Sequence, residues 1–452
     1  MTERRDVERS LDVSWKEGIP AAIMLGVLDY YLVPFALFLG ARPFQIGILV
    51  AMPFLLAALS QLWAVSVVRS AGSRLDFLVR GTALQAAFLV PASLLALFPN
   101  LPHRVGLLIA CAAAFRVLGN FIGAAWGSLM SDYLEPEERG HYFGWRAQVV
   151  GVAGLAGVTG AGVLLYATKL RHPALGFFLL FLGAALCRFA SYGLMTRMAD
   201  IPHPDSREHD FTFIMFLRRF RSSNFVRFVF FVAGITFATQ LSAPYFSVFQ
   251  LRDLHFNYLQ YMLLQFCSVG TGLLSAPIWG KHADIVGNAK ILKITGFFIP
   301  FIPLLWLVSR SLPYLVAVEL TAGFMWGGFN LCAVNFVLDA VSAPKRVRCL
   351  AYFNLINGAA VCAGALLGGF LAERLPPLFG WRILSLFALS GALRFAAALF
   401  LSGGFREVRK SRHVSSLDLF FSVVGFRSLA GMNQEWSFIP GRKHRPDKFV
   451  AE

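Results

Sequence analysis

Charged residues are scarce in this 452-residue chain. Only 15% of its residues are Asp, Glu, Lys or Arg, whereas 57% are hydrophobic. A soluble domain carries about 25% charged residues. The composition therefore excludes an ordinary soluble protein and predicts a polytopic membrane protein.

Several missing motifs narrow the function further. The six cysteines form no C-x-x-C pair, which argues against metal ligands and disulfides. The phosphate-binding loop G-x-x-x-x-G-K-[ST] is missing, so the chain encodes no ATP-driven pump. An H-E-x-x-H zinc motif is also missing, and all nine His lie in loops, tails or span edges. We therefore expect no enzyme activity, no metal and no cofactor, with a membrane-embedded enzyme or a receptor as remote alternatives.

Long apolar runs dominate what is present. Each run is long enough to cross a hydrocarbon core of about 30 Å as a helix. Hydropathy predicts twelve spans, numbered 1 to 12, at residues 19–40, 46–68, 78–98, 105–130, 149–168, 175–198, 225–249, 258–278, 291–309, 314–338, 349–372 and 382–403.

The second half of the chain repeats the first. Asp339 follows Asp132 by 207 residues, and Arg394 follows Arg188 by 206. The matches lie in apolar surroundings, so the repeated unit is a block of membrane helices, as in secondary transporters. We predict an all-α polytopic membrane protein whose twelve transmembrane helices form two pseudo-symmetric six-helix bundles. The predicted parts are a tail at 1–18, a bundle at 19–198, a linker at 199–224, a bundle at 225–403 and a tail at 404–452.

The basic residues predict the orientation. The chain holds 41 Lys and Arg against 25 Asp and Glu, and most of the bases fall in the two tails and the loops on their side. By the positive-inside rule this side is cytoplasmic, so the excess is a topology signal and not a nucleic-acid footprint. We expect a monomeric, multi-pass protein of the bacterial inner membrane with both termini in the cytoplasm.

The loop between spans 8 and 9 carries the clearest motif. It contains Gly280, Asp284 and Gly287 at the spacing G-x-x-x-D-x-x-G. This loop resembles the signature of the major facilitator superfamily, and the helix count, repeat and midpoint linker agree with it. The resemblance implies two six-helix bundles and a secondary transporter that moves a small molecule by alternating access.

Two other loops on the same side share a weaker pattern. Asp132 and Arg139 flank the loop between spans 4 and 5, and Asp339 and Arg348 flank the loop between spans 10 and 11. Such residues can end one helix and start the next. As an alternative, a salt bridge between the two halves could close the inner mouth.

Charges inside the predicted spans are few, and the repeat divides them into two groups. Arg188 and Arg394 are symmetry mates, which favours a structural role. Asp29, Arg116 and Glu319 have no charged mate. A charge in the bilayer is costly unless it faces a wet cavity or a partner, so these three are the candidates for substrate or proton handling.

Asp29 and Arg116 are the strongest candidates. A carboxyl group surrounded by hydrocarbon favours its neutral form, which suits reversible protonation during transport. Arg116 resembles the R-x-x-x-G signature of span 4, which implies a role in proton or substrate handling. An ion pair between Asp29 and Arg116 is compatible with either role. Five polar residues complete the predicted site, and each has an interhelical hydrogen bond as its alternative: Tyr30, Asn120, Gln240, Asn330 and Asn357.

Taken together, these features predict a proton-coupled secondary transporter in the lipid bilayer. Its partners are a small-molecule substrate and a coupling ion. Efflux of amphiphilic compounds is slightly favoured over uptake of a sugar or an organic anion.

Overall fold

Twelve helical spans build the protein. The computed structural model describes residues 2–70, 72–169, 172–201, 223–341 and 346–409. Within them, twelve segments are long and apolar enough to cross a membrane, so the predicted number of spans is confirmed. Of the predicted linker and C-terminal tail, most residues lie outside the described ranges.

Ten of the spans are single helices. Spans 1 to 6 are Thr2–Phe38, Pro43–Ser70, Arg74–Leu94, Arg104–Tyr133, Pro136–Thr168 and Pro173–Met195. Spans 8, 10, 11 and 12 are Tyr258–Val286, Leu312–Ala340, Arg346–Arg374 and Arg382–Leu401. We call the side with the connections after spans 2, 4, 8 and 10 the tail side, and the opposite side the far side.

Spans 7 and 9 are interrupted. Span 7 runs as Asn224–Gln240, continues as Ala243–Val248 and ends in the π-helical turn Phe249–Asp253. Span 9 consists of Asn288–Phe298 and Phe301–Leu305. Pro244 and Pro300 stand at the two breaks. Proline has no N–H and its ring clashes with the preceding turn, which accounts for both interruptions.

Span 1 is longer than predicted. Its helix begins at Thr2, so the described residues of the predicted tail extend it by more than four turns. This extension packs against span 5, where the Tyr142 hydroxyl donates to the Leu11 carbonyl at 2.8 Å. Ser10, Ser14 and Glu17 are buried within it. Hydropathy placed the start at residue 19 because these buried residues are polar.

Glycines let helix backbones approach closely at the joints between spans. Gly47 on span 2 leaves room for the Ala365 carbonyl of span 11, which would lie 2.6 Å from an added Cβ. Gly151 on span 5 similarly faces Leu273 of span 8. The two halves therefore meet along the pairs of spans 2 with 11 and 5 with 8, where small residues favour packing.

We expect Gly157→Ala to destabilise the protein by about 1–3 kcal/mol, because its Cβ would meet the backbone of span 1. The Ile23 oxygen would lie 2.6 Å away and the Ile23 Cα 2.9 Å away. Thermal unfolding in detergent measures the effect. Gly160→Ala, on the same helix with no heavy atom within 4 Å of the added Cβ, is the matched control. Equal unfolding midpoints for the two variants would contradict the packing argument.

Candidate transport site

A central cavity of about 750 Å³ lies between the two halves. Spans 1, 2, 3, 4 and 6 line it from the N-terminal half, and spans 7, 8 and 10 from the C-terminal half. Its size falls in the range of small-molecule binding pockets. The cavity is therefore a candidate site for a substrate that contacts both halves.

Asp29 and Arg116 form an ion pair on the wall of this cavity. The Arg116 guanidinium donates to the Asp29 carboxylate, and both side chains line the cavity wall. Their side chains are 43% and 31% exposed, respectively. The guanidinium also lies over the Phe54 ring, 4.8 Å from its centroid. The ion pair that the sequence left as one interpretation is thus present, and it is open to the cavity rather than sealed in the protein.

Three of the predicted polar residues also reach the cavity. Tyr30 lines it from span 1, Gln240 from span 7 and Asn330 from span 10. Glu319 lies behind the cavity wall. Its side chain forms a hydrogen bond with Ser268, which lines the cavity.

The structure places the other two predicted residues in helix contacts. Asn120 donates to the Ala57 carbonyl at 2.7 Å and accepts from Gln61 at 2.9 Å, so it joins span 4 to span 2. Asn357 accepts from the Thr236 hydroxyl at 3.3 Å. In this structure both residues make the interhelical hydrogen bonds that were their alternative interpretation.

Most of the cavity wall is apolar, and the sequence alone did not show which aromatic residues line it. The chain holds 45 Phe, and nothing in the sequence separates those that face lipid from those that face a cavity. Aromatic side chains offer a large surface for an apolar substrate. The lining aromatics other than Tyr30 are Phe54, Phe115, Phe181 and Trp326.

The two halves are hydrogen-bonded to each other on the far side. The Tyr261 hydroxyl of span 8 donates to the Tyr30 carbonyl of span 1 at 2.6 Å. The Tyr31 and Tyr261 rings meet edge to face at 5.6 Å. Closer to the end of the bundle, the Phe44 amide donates to Glu373 at 3.2 Å. These contacts join the two halves on the far side of the Asp29–Arg116 pair, and we call them the far-side closure.

We expect Tyr261→Phe to loosen the far-side closure, because it removes the hydroxyl that bonds Tyr30 but keeps the ring. Cys111 lines the cavity and is the reporter. An impermeant maleimide added on the far side should label Cys111 several-fold faster in the variant. The Cys111→Ser background gives the signal from the other cysteines. Unchanged labelling of Cys111 would show that this bond does not hold the closure.

On the tail side, each half has a set of hydrogen bonds around one Asp, and we call each set a clasp. In the N-terminal half, Arg74 donates to Asp132 at 2.7 Å and to the Ile201 carbonyl at 2.6 Å. In the C-terminal half, Asp339 accepts from Asn288 at 2.8 Å and from Arg409 at 2.6 Å. Both clasps join an Asp near the end of span 4 or 10 to the first residue of the preceding span, 3 or 9, and to the segment after the last span of that half.

The remaining predicted latch residues have local roles. Gly287 ends span 8 with φ +87°, a conformation that glycine adopts without strain. Asp284 lies 3.8 Å from Arg409, and Gly280 faces Leu331 of span 10. Arg139 donates to the Ser131 carbonyl and so caps span 4. The Arg348 side chain lies outside the described part of the chain.

Among the described residues, the ion pairs of these loops join partners within one half. Asp132 pairs with Arg74 and Asp339 pairs with Arg409, in each case within one half, and the salt bridge between halves stays a prediction.

The segment after span 12 forms a strap, residues 405–409, across the C-terminal clasp. Phe405 is completely buried against Phe231 and Phe336 at 5.1 and 5.6 Å. Glu407 accepts from the Ala289 amide at 2.7 Å, at the N-terminus of span 9. A carboxylate at this end of a helix is favoured by the unpaired amides and the helix dipole.

We expect Glu407→Gln to weaken the first turn of span 9 by about 0.5–1 kcal/mol, because the favourable charge at the helix N-terminus is lost. Hydrogen exchange at residues 289–292 should become faster. Glu373→Gln, on the far side, is the control and should leave this exchange unchanged. Equal protection in both variants would mean that the strap does not stabilise span 9.

Each half contains one buried arginine that joins its helices, in agreement with the structural role that the repeat favours. Arg188 on span 6 donates to Gln85 of span 3 at 2.7 Å. Arg394 on span 12 donates to Ser242 after the first helix of span 7 at 3.0 Å. Both side chains are buried. Their contacts stay within their own halves.

Glu17 is a buried charge that sequence reasoning missed. It is 2% exposed, pairs with Arg146 at 3.0 Å and accepts from Ser191 at 2.9 Å. Ser191 in turn accepts from Arg188 at 3.2 Å. The signal available in the sequence was a carboxylate just before an apolar run, which also describes an ordinary solvated helix end.

Fold and cavity together define a class. Twelve membrane-capable helices in two repeated halves surround a central cavity that holds an exposed ion pair. This is the architecture of a two-bundle membrane transporter, with its site at the interface of the repeats.

The chain belongs to the major facilitator superfamily. The family model "Major Facilitator Superfamily" matches residues 19–346. The protein is thus a multi-pass integral membrane protein of a family of transporters, which are not enzymes.

Two curated relatives match part of the chain. The vacuolar basic amino acid transporter 1 of Saccharomyces cerevisiae is 25% identical over 164 residues, 34% of this chain and 28% of the relative. The tetracycline resistance protein, class B, of Escherichia coli is 26% identical over 140 residues, 31% of this chain and 33% of the relative. The matches span a third or less of each relative, so they do not carry its substrate to this chain.

Solved structures show the same fold over most of the chain. A bacterial homologue of the human lysosomal transporter Spinster, inward-facing and unoccupied, gives a TM-score of 0.64 at 14% identity, covering 88% of this chain and 95% of that one. The nucleoside transporter NupG gives 0.67 at 11%, covering 87% and 100%. A bacterial homologue of the iron transporter ferroportin, inward-facing, gives 0.63 at 13%, covering 87% and 98%.

Proposed function

We propose that this protein is a proton-coupled secondary transporter that moves a small amphiphilic molecule by alternating access. The observation that carries the proposal is the Asp29–Arg116 pair, held open to a central cavity by span 1 and span 4. A carboxylate on the wall of this cavity faces one side of the membrane and then the other as the cavity alternates, which is the position that a proton-carrying group needs.

The cavity wall supports an amphiphilic substrate. Its apolar and aromatic lining suits a hydrocarbon body, while Gln240 and Asn330 provide neutral hydrogen-bonding groups on the wall of the C-terminal half. The site thus combines a few polar groups with a mostly apolar surface, as small-molecule pockets commonly do.

The orientation follows from the charge distribution. The tail side carries most of the basic residues, so we place it and both termini in the cytoplasm of a bacterial inner membrane. The far-side closure then leaves the cavity to be reached from the cytoplasm. We take the monomer as the transporting unit, since one chain supplies both walls of the cavity.

Export and import remain the two directions to separate. Export of amphiphilic compounds fits the aromatic wall, and one partial relative is a tetracycline resistance protein. Import of an organic anion is the second candidate, because the exposed guanidinium of Arg116 can bind a carboxylate.

We expect Asp29→Asn to abolish substrate-driven proton flux, because an amide cannot carry the proton. The assay uses proteoliposomes with an internal pH dye and, as probes, tetracycline and 3-phenylpropanoate. Asp76→Asn, an exposed tail-side carboxylate paired with Arg80 at 2.8 Å, is the matched control. Fully coupled transport in Asp29→Asn would refute the coupling role. The sign of probe accumulation under an imposed proton gradient then distinguishes import from export.

A further inference from the structure

Few charged residues line the cavity. Among the lining residues that the structure describes, Asp29 and Arg116 are the charged ones. An arginine side chain in a protein keeps its proton, whereas a carboxyl group can take one up. The net charge of the wall is therefore zero when Asp29 is ionised and +1 when Asp29 is protonated.

Net charge matters because alternating access must close the cavity on both sides at one stage. The Asp29 and Arg116 side chains are now hydrated through the open cavity, as their exposed fractions of 43% and 31% show. Closing the cavity removes that water. An uncompensated charge in a low-dielectric interior is strongly disfavoured, so closed states with zero net charge are favoured.

Two closed states have zero net charge, and they differ in what the cavity contains. The first is the empty cavity with Asp29 ionised and paired to Arg116. The second has Asp29 protonated and a single negative charge of the substrate on Arg116. A substrate cation gives +1 with the pair intact and +2 with Asp29 protonated. A neutral or zwitterionic substrate is compatible with the ionised pair and needs no proton.

The geometry of Arg116 fits an incoming anion. One of its NH2 groups is bonded to Asp29, and the planar guanidinium keeps further donors for a bidentate carboxylate or sulfonate. The Phe54 ring beneath it and the nearby Phe115 and Trp326 on the wall offer contact to an apolar body. The anion would take the place that the Asp29 carboxylate leaves on protonation.

We propose that the cavity binds one amphiphilic monoanion together with one proton, the anion on Arg116 and the proton on Asp29. This inference rests on the proposed function and names the substrate class of the same site. It makes loading obligatory and electroneutral, so proton and substrate move in the same direction. Between the two directions left open above, an inward proton gradient then gives import.

Other titratable groups surround Asp29 and need a control. Tyr30 is its neighbour on span 1, Tyr261 reaches span 1 from span 8, and Glu319 on span 10 lies behind Ser268. Glu319 is the one that could take up a proton in place of Asp29. Glu319→Gln therefore separates the two carboxyl groups.

The test measures binding and proton uptake on the purified full chain in detergent at about pH 7. The probes share one phenylpropyl body and differ in charge: 3-phenylpropanoate, 3-phenylpropanamide and 3-phenylpropylamine. Quenching of tryptophan fluorescence reports binding, since Trp326 lines the cavity. A pH indicator in weak buffer reports protons.

We expect the wild-type protein to bind the propanoate most tightly and to take up about one proton per anion, as protonation linked to binding requires. Asp29→Asn should bind the anion at least as tightly with no proton uptake, because Arg116 is then unpaired. Arg116→Gln should lose affinity about tenfold or more, the loss of a charge-assisted bond. Glu319→Gln should still take up about one proton per bound anion, because the proton goes to Asp29.

Four results would overturn the inference. They are tighter binding of the amine or the amide, anion binding without proton uptake, proton uptake that is lost in Glu319→Gln but kept in Asp29→Asn, and failure of Asp29→Asn to bind the propanoate at millimolar concentration. Proton-coupled transport of a cation in proteoliposomes would reject the inference and leave the proposed function standing. Joint binding of anion and proton, with coupled transport intact in Asp29→Asn, would instead reject the proposed coupling.

Discussion

The ion pair between Asp29 and Arg116 is the interaction on which the site depends. A charge at this depth of a membrane protein is costly unless it faces a wet cavity or a partner, and each of these two charges has both. Span 1 and span 4 are held in register by their surroundings, and the pair remains exposed only because the cavity beside it is open. The same pair sets the charge of the cavity wall, which links structure to the proposed transport.

The repeat separates residues that hold each half together from residues that form the site. Features that occur in both halves make contacts within their own bundles. The symmetry mates Arg188 and Arg394 do so, and so do the mates Asp132 and Asp339. Two of the unmatched charges, Asp29 and Arg116, form the ion pair in the N-terminal half, and the third, Glu319, lies in the C-terminal half. The C-terminal half adds a neutral, hydrogen-bonding wall. A substrate has no two-fold symmetry, which agrees with this asymmetric cavity.

The contacts on the far side differ from those on the tail side. Two hydrogen bonds between the halves, Tyr30 with Tyr261 and Phe44 with Glu373, lie on the far side. On the tail side, the described ion pairs keep each half intact, and the strap over residues 405–409 reinforces the second half. Two halves with different contacts at their two ends are compatible with a rocking motion around a central site.

By itself the sequence determined the twelve spans, the repeat and the unmatched charges Asp29 and Arg116, because apolar length and the cost of a charge in lipid are local properties. Only the tertiary structure decided that Gln240 and Asn330 face the cavity whereas Asn120 and Asn357 bond neighbouring helices. It also decided that Glu17 is buried. In a membrane transporter both lipid and cavity accept apolar surface, so hydrophobic periodicity does not fix the rotation of a helix, and packing against its neighbours does.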